Sequence, residues 1–328
     1  MSEAYGALNG LIKNKSNISD AKQFQDIVNV VFHDYESKHY DNIHEEMWKS
    51  LPQQFDLLIN DIWPLVSDSK NLKLLDIGCG TGLATEFLLG TPLNQKIADI
   101  HLLDTPTLML EKAKKRTKKW GKNFKLIHGD ILQARDSYDV IIISSVLHHI
   151  PDLPEFLETI NSIQKPGGIL LTMHDPANES VRSDTYKARC TEYDAYDETH
   201  KQKRTILTRI KDRLTNIFAP VDYIQKVNQK LLADKVIHQP LTPTELWSVT
   251  DVHVEGLPYA LSDGITKQLL KDNLPQYSLA SYRTYGFFGT LYSNLDKLYK
   301  SREKDLIEQK DQHGRNFSSA WIKQNIND

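Results

Sequence analysis

Two adjacent histidines, His148 and His149, follow an apolar run and precede Pro151-Asp152; further along, Asp175 closes the segment Met173-His174-Asp175 before a proline. A neutral imidazole can take a proton from a hydroxyl or an amine near pH 7, and a carboxylate can do the same. These three are the candidate catalytic residues. Each also has a plainer role: histidines at a helix start bond backbone groups and fix a loop, and Asp175 can cap a helix. A second stretch, Leu74 to Gly82 (LLDIGCGTG), runs from an apolar strand into alternate glycines at 78, 80 and 82, with Leu83 opening a helix. Glycines let a ligand approach the backbone, and a helix start offers unpaired N–H groups to a polar or anionic group. A tight turn without a ligand is the alternative. Three alternate glycines at a strand-to-helix junction, with Asp76 at the strand end and Cys79 between them, favour a binding loop.

The glycine spacing bears on the ligand. The dinucleotide fingerprint is GxGxxG, whereas here the third glycine comes one residue early and Leu83 stands where the last should be. That counts against a pyrophosphate-linked dinucleotide. Asp104, at the end of the run His101-Leu102-Leu103-Asp104, is placed to accept from two ribose hydroxyls. Gly129-Asp130-Ile131 closes a third run, where Asp130 can accept from an exocyclic amine while Ile131 packs on a purine face. All three acids fall at carboxyl ends of strands, where open sheets bind ligands.

These residues resemble the class I S-adenosylmethionine-dependent methyltransferases, and in particular their small-molecule branch with VLHHIPD-like and KPGG-like motifs, matched here by Val146 to Asp152 and Lys165 to Gly168. The resemblance runs from about Leu72 to Asp175. It implies S-adenosylmethionine as cofactor and S-adenosylhomocysteine as product. It also implies that the loop with Asp76, Gly78, Cys79 and Gly80 holds the methionine part, that Asp104 holds ribose and Asp130 the adenine amine, and that Ile143 and Ser144 border the cofactor. The KPGG segment is expected to be a turn without chemistry.

Apolar runs bounded by Gly, Asp or Asn position these groups: KLLDIG, ADIHLLD, FKLIHGD, YDVIIISS and GGILLTMHD. Stretches of helical length separate them, so the expected fold is α/β, a doubly wound, Rossmann-like and mostly parallel sheet of seven strands with the last antiparallel. Residues 1–66 are expected to be a helical cap, with Phe24, Ile27, Val28, Val31 and Phe32 along one face; 67–175 the cofactor-binding core; and 176–275 a helical lid inserted after the fifth strand. In that lid Ile206, Ile210, Leu214, Ile217 and Phe218 form a stripe, and Thr242-Pro243-Thr244-Glu245 is a helix start. Residues 276–328 are expected to close the sheet with two strands between Tyr277 and Tyr292, joined near Gly286, and to end in a helix over Asn294 to Lys310.

Acceptor recognition is expected in cap and lid. Tyr35 and Tyr40 in the first, Tyr186 and Trp247 in the second, and Arg283 near the closing strands are candidate substrate contacts, suited to a partly apolar acceptor. His33, His39 and His44 with Asp34, Glu36, Glu45 and Glu46 resemble a scattered acidic helix face, and no metal is expected. A net charge of −3 gives no global attraction to a polyanion, although Lys112 to Lys122 and His200 to Arg213 are locally basic. A small-molecule acceptor is therefore the expected partner rather than nucleic acid, with a homodimer as a candidate assembly. Two cysteines, no long apolar run and no export-type start point to a cytoplasmic chain with reduced thiols. An RNA methyltransferase, a non-catalytic nucleoside-binding protein and an oxidoreductase are the competing functions.

Overall fold

The five apolar runs become strands β1 (Leu72–Ile77), β2 (Ile97–Asp104), β3 (Asn123–His128), β4 (Tyr138–Ser144) and β5 (Gln164–Pro176). Two more, β6 (Tyr277–Tyr285) and β7 (Asn316–Lys323), complete one seven-stranded sheet in the order β3-β2-β1-β4-β5-β7-β6. Strands β1 to β5 pair in parallel, while β7 is antiparallel to both β5 and β6. This is the expected Rossmann-like sheet with its last strand reversed. The computed structural model describes residues 3–37, 47–201, 223–254, 256–260 and 264–325. The stripe from Ile206 to Phe218 lies outside the described residues.

Alternation along the buried strands explains why both faces are covered. Leu74, Val140 and Ile142 point to one face, where helix Met47–Val66 supplies Leu51, Phe55, Leu58 and Ile62; Leu75, Ile141 and Ile143 point to the other, against Leu157 and Ile160 of helix Leu153–Ile163. Helix Met47–Val66 thus packs on the sheet itself. A separate apolar cluster joins Leu11, Phe24, Val28 and Phe32 of the N-terminal helices to Val227, Leu231, Leu246 and Val249 of the segment after β5. The expected cap and lid share this one core. Thr242 caps helix Pro243–Thr250, its hydroxyl accepting from Glu245 N while Glu245 accepts from Thr242 N.

Two local expectations are corrected. The aromatic stretch after Gly286 is not a strand: Phe287 and Phe288 are buried in a side cluster, and Glu303 accepts from Gly286 N (2.6 Å) and Phe287 N (3.0 Å), so a side chain takes donors that a ladder would have used. The second closing strand is β7, and helix Lys297–Glu308 connects β6 to it rather than ending the chain. The KPGG segment lies within β5 as an irregularity, the register passing from Tyr138↔Gln164 to Val140↔Ile169. Among the described residues, no helix is long and apolar enough to cross a membrane.

Candidate active site

Past Ile77 the chain turns through Gly78, Gly80 and Gly82, all at positive φ (63°, 52° and 81°). A Cβ on Gly78 would stand 2.4 Å from Val146 Cγ2, so glycine is required there by conformation and by the close approach of the segment leading to the histidines. At Gly80 an added Cβ would meet nothing within 4 Å, which leaves open space on that side of the loop. Cys79 N donates to Leu103 O (3.0 Å), and burial pushes its thiol up, so this residue fixes the loop through packing and backbone.

Asp76 is fully buried. Its Oδ2 accepts from Thr85 Oγ1 at 2.6 Å, its Oδ1 has no partner, and burial, more than the nearby Asp104 charge, raises the carboxyl to about 7. Asp104 ties the loop to β2 by accepting from Gly80 N (2.5 Å) through Oδ2 and from Thr105 N (2.8 Å) through Oδ1. Desolvation raises its carboxyl too, although the Gly80 amide offsets part of this. A carboxylate has about four lone-pair sites, so capacity remains for two hydroxyl donors. Asp130 is exposed and accepts from Leu132 N (3.0 Å), capping a short turn, with Ile131 half-buried beside it. Ile143 is buried at the end of β4, and next to it the buried Ser144 Oγ has no partner.

The histidines sit in the turn Leu147–His149, just past β4. His148 Nδ1 lies 2.7 Å from Asp175 Oδ1, which also accepts from His148 N at 3.2 Å. Asp175 is fully buried at the end of β5, and its Oδ2 has no partner. A carboxylate on Nδ1 fixes the tautomer with the proton there and leaves the Nε2 lone pair outward. That lone pair faces Asp251 Oδ1 at 3.6 Å. His149 Nδ1 is 2.8 Å from Thr250 O and 3.2 Å from Asp251 Oδ1. Burial pulls the His149 imidazole down, but the Asp251 hydrogen bond and charge more than offset this and raise it; burial acts the opposite way on Asp251, which the same partner holds below the usual carboxylate range. Ser145 (φ 58°) and His174 (φ 61°), neither of them glycine, hold left-handed backbone beside this cluster.

The sequence missed Asp251, Gln25 and the role of His33. Gln25 Nε2 donates to His149 O (3.1 Å), and the His33 ring lies edge-on to His149 at 5.0 Å, so the N-terminal helix reaches the cluster directly. His33 Nδ1 itself pairs with Glu36 at 2.9 Å, whereas His39, His44, Glu45 and Glu46 lie outside the described residues, as does the candidate contact Tyr40. Tyr35 packs on the shared core of cap and insertion. Tyr186 is buried and hydrogen-bonded to Cys190, while Trp247 is exposed. The Arg283 guanidinium grips Asp61 through Nε (2.8 Å) and Nη2 (2.9 Å), tying β6 to helix Met47–Val66. In the basic run, Lys112 donates to Ser37 O, and Arg116 pairs with Glu86 and the loop carbonyl of Thr81.

Residues 68–222 match the sequence model of a family described as a methyltransferase domain. A polyketide synthase-nonribosomal peptide synthetase of Pyricularia grisea is 33% identical over 119 residues, which take in 34% of this chain and 3% of that one. A ubiquinone biosynthesis O-methyltransferase of Pelagibacter ubique is 29% identical over 126 residues, 38% of this chain and 50% of its own. The match thus spans half or less of these curated relatives. Among solved structures, the plantazolicin methyltransferase BpumL in complex with SAH aligns with 93% of this chain and 98% of its own at 14% identity and a TM-score of 0.47.

Proposed function

We propose that this chain, whose residues 68–222 match a methyltransferase-domain model, is a class I enzyme that transfers the methyl group of S-adenosylmethionine to a small-molecule acceptor held between the sheet and the helices of cap and insertion. The acceptor atom is an oxygen, nitrogen or carbon nucleophile. One observation carries this reading: buried polar atoms without partners gather at the carboxyl ends of adjacent strands, Asp76 Oδ1 on β1, Ser144 Oγ on β4 and Asp175 Oδ2 on β5. Buried polar atoms are ordinarily satisfied, so a group of orphans at the ligand edge of an open sheet fits a polar ligand.

The cofactor fits the residues present. The Asp76 orphan oxygen suits the amino group of a methionine moiety, the space beside Gly80 admits its chain, Asp104 has capacity for ribose, and Asp130 with Ile131 suits adenine. Ile143 and Ser144 border it. When bound, S-adenosylmethionine supplies a methyl group on a sulfonium, open to in-line displacement. The chain's task is then to align the acceptor with that methyl group and keep water out. For a hydroxyl acceptor, the outward lone pair of His148 takes the proton, and Asp175 steadies the imidazolium that forms. His149, held at Nδ1 by Thr250 and Asp251, positions the turn. An amine acceptor needs only to be uncharged.

Calorimetric titration with S-adenosylhomocysteine, with NAD as control, tests the reading. The wild-type protein should bind the first and not the second. Asp104→Ala, checked for folding by circular dichroism, should bind at least roughly 30-fold more weakly, since hydrogen bonds to a charged group are worth about 1.5–3 kcal/mol each. Unchanged affinity would mean that the ribose site is misplaced; no binding by the wild type would end the methyltransferase reading.

A further inference from the structure

The lone pair assigned to the acceptor's proton does not stand alone. His148, His149 and Asp251 each offer one donor atom, and these three atoms lie within 4.8 Å of one another. Two of the separations are 3.2 Å (His149 Nδ1 to Asp251 Oδ1) and 3.6 Å (His148 Nε2 to Asp251 Oδ1). Ligands about 2.0–2.1 Å from a tetrahedral ion stand roughly 3.3 Å apart, so both separations match neighbouring corners of one coordination shell. Two electron-pair donors, Nε2 and a carboxylate oxygen, face each other across a partly buried gap. The His149 Nδ1–H beside them is the donor that a metal ion would replace. Behind His148, Asp175 Oδ1 holds Nδ1 at 2.7 Å, the carboxylate–imidazole arrangement that orients metal-binding histidines.

We propose that His148, His149 and Asp251 form a site for one divalent ion of the zinc class, with Asp175 orienting His148 from behind. Two imidazoles and one carboxylate are a borderline donor set that suits zinc or cobalt better than magnesium or calcium. Binding displaces the proton that His149 Nδ1 shares with Thr250 O and Asp251. The proposal rests on the methyltransferase reading and deepens it, because the ion replaces the base and selects oxygen acceptors. A hydroxyl bound to the ion releases its proton to solvent. The oxyanion then forms the O–C bond as the C–S bond breaks, and the sulfonium leaves as a neutral thioether. Three distant segments build this site, which is why spacing along the chain gave no sign of a metal.

The test is titration of the whole 328-residue chain, stripped with chelator and desalted, with Co²⁺, followed by calorimetry and visible absorption. One ion per chain is expected, with ligand-field absorption. His148→Gln and Asp251→Asn should each weaken binding at least about 10-fold and Asp175→Asn about 10- to 100-fold, the loss typical of an orienting partner. His101→Gln, in a His/Asp cluster toward the amino ends of the strands, should not change it. In the wild type, Co²⁺ should broaden the ring-proton resonances of His148 and His149 but not those of His101, a readout that needs no variant to fold. Absence of a stoichiometric ion, or equal affinity in His148→Gln and Asp251→Asn, would overturn the proposal. S-adenosylhomocysteine titration of the same sample separates the two readings: ligand bound without an ion removes only the metal site, whereas an ion bound without the ligand removes the methyltransferase role.

Discussion

The two halves of the candidate site are built differently. The half assigned to the cofactor is made by short stretches that turn at the ends of β1, β2 and β3, and its central contacts are local to the sheet: Gly80 to Asp104, Cys79 to Leu103, Gly129 to Asp104. The half assigned to the acceptor is assembled from Gln25, His148, Asp175 and Asp251, which lie on an N-terminal helix, a turn, a strand and the end of a helix in the insertion. A nucleoside pocket formed by the sheet needs only the sheet. The histidine cluster exists only when cap, core and insertion are packed together, so acceptor recognition, if it lies there, would rest on segments free to differ between relatives of one fold.

If the halves are separable in function, Asp175→Asn should reveal it with the largest effect. An amide can meet the Nδ1–H of His148 through its oxygen but cannot stabilise an imidazolium or orient a metal ligand as a carboxylate does. A drop in kcat of about 100-fold, near 2.7 kcal/mol, is expected, in the range for general acid–base and orienting groups. Affinity for S-adenosylhomocysteine should stay within about twofold of wild type, because the hydrogen bonds of Asp175 run to His148 and charge effects fade with distance. Steady-state kinetics beside calorimetry decides. Equal losses in both would show that the halves act as one unit.

The same contrast governs what the sequence allowed to be read. Strands β1 to β5 were legible because a parallel strand buried on both faces is a nearly continuous apolar run, as in Val140-Ile141-Ile142-Ile143. The positions of Asp76 and Asp104 at strand ends were legible because each closes an apolar run, Asp76 just ahead of the glycine turn and Asp104 ahead of Thr105-Pro106. Strand β7, Asn316–Lys323, was not: Ser318 and Ser319 interrupt it, and both are buried, with hydroxyls paired to Gln54 (2.9 Å) and Thr172 (2.5 Å) on other elements. The Asp61 partner of Arg283 was illegible for a related reason. A cation near a strand end carries no mark of its partner, and Asp61, on a helix packed across the sheet, is far from it along the chain. Asp251 carried no signal at all; only the fold brings it to His149.

Asp76 gives a smaller and pH-dependent test of the cofactor half. Its carboxyl stands near 7 in the folded chain against an ordinary 3.8, so between those values the folded state keeps a proton that the unfolded state has lost. This contribution to stability is complete below about pH 4 and is lost as pH rises through about 7, at roughly 1.4 kcal/mol per pH unit in between. Asp76→Asn cannot titrate and should remove that slope. Urea unfolding at pH 5 and pH 6 should show wild type losing about 1.4 kcal/mol relative to the variant. Parallel curves would show that Asp76 ionises normally, and the orphan oxygen would lose its meaning as a ligand site.

The smallest effect sought is also the one that bears most directly on assembly across elements. Gln25 belongs to helix Ala21–Ser37 and is buried, yet its amide reaches His149 O, linking the cap to the histidine turn. Gln25→Ala removes one neutral hydrogen bond, a net change of about 0.5–1.5 kcal/mol, and leaves that carbonyl to find water or go unpaired. If cap and turn together shape the acceptor site, acceptor KM should rise about threefold, near 0.7 kcal/mol, while S-adenosylhomocysteine affinity and the kcat at saturating acceptor hold. A fall in kcat with KM unchanged would place Gln25 with the groups that orient the chemistry. No change in either would mean that the cap is bound to the core by its apolar cluster alone, and that the acceptor half ends at the sheet and the insertion.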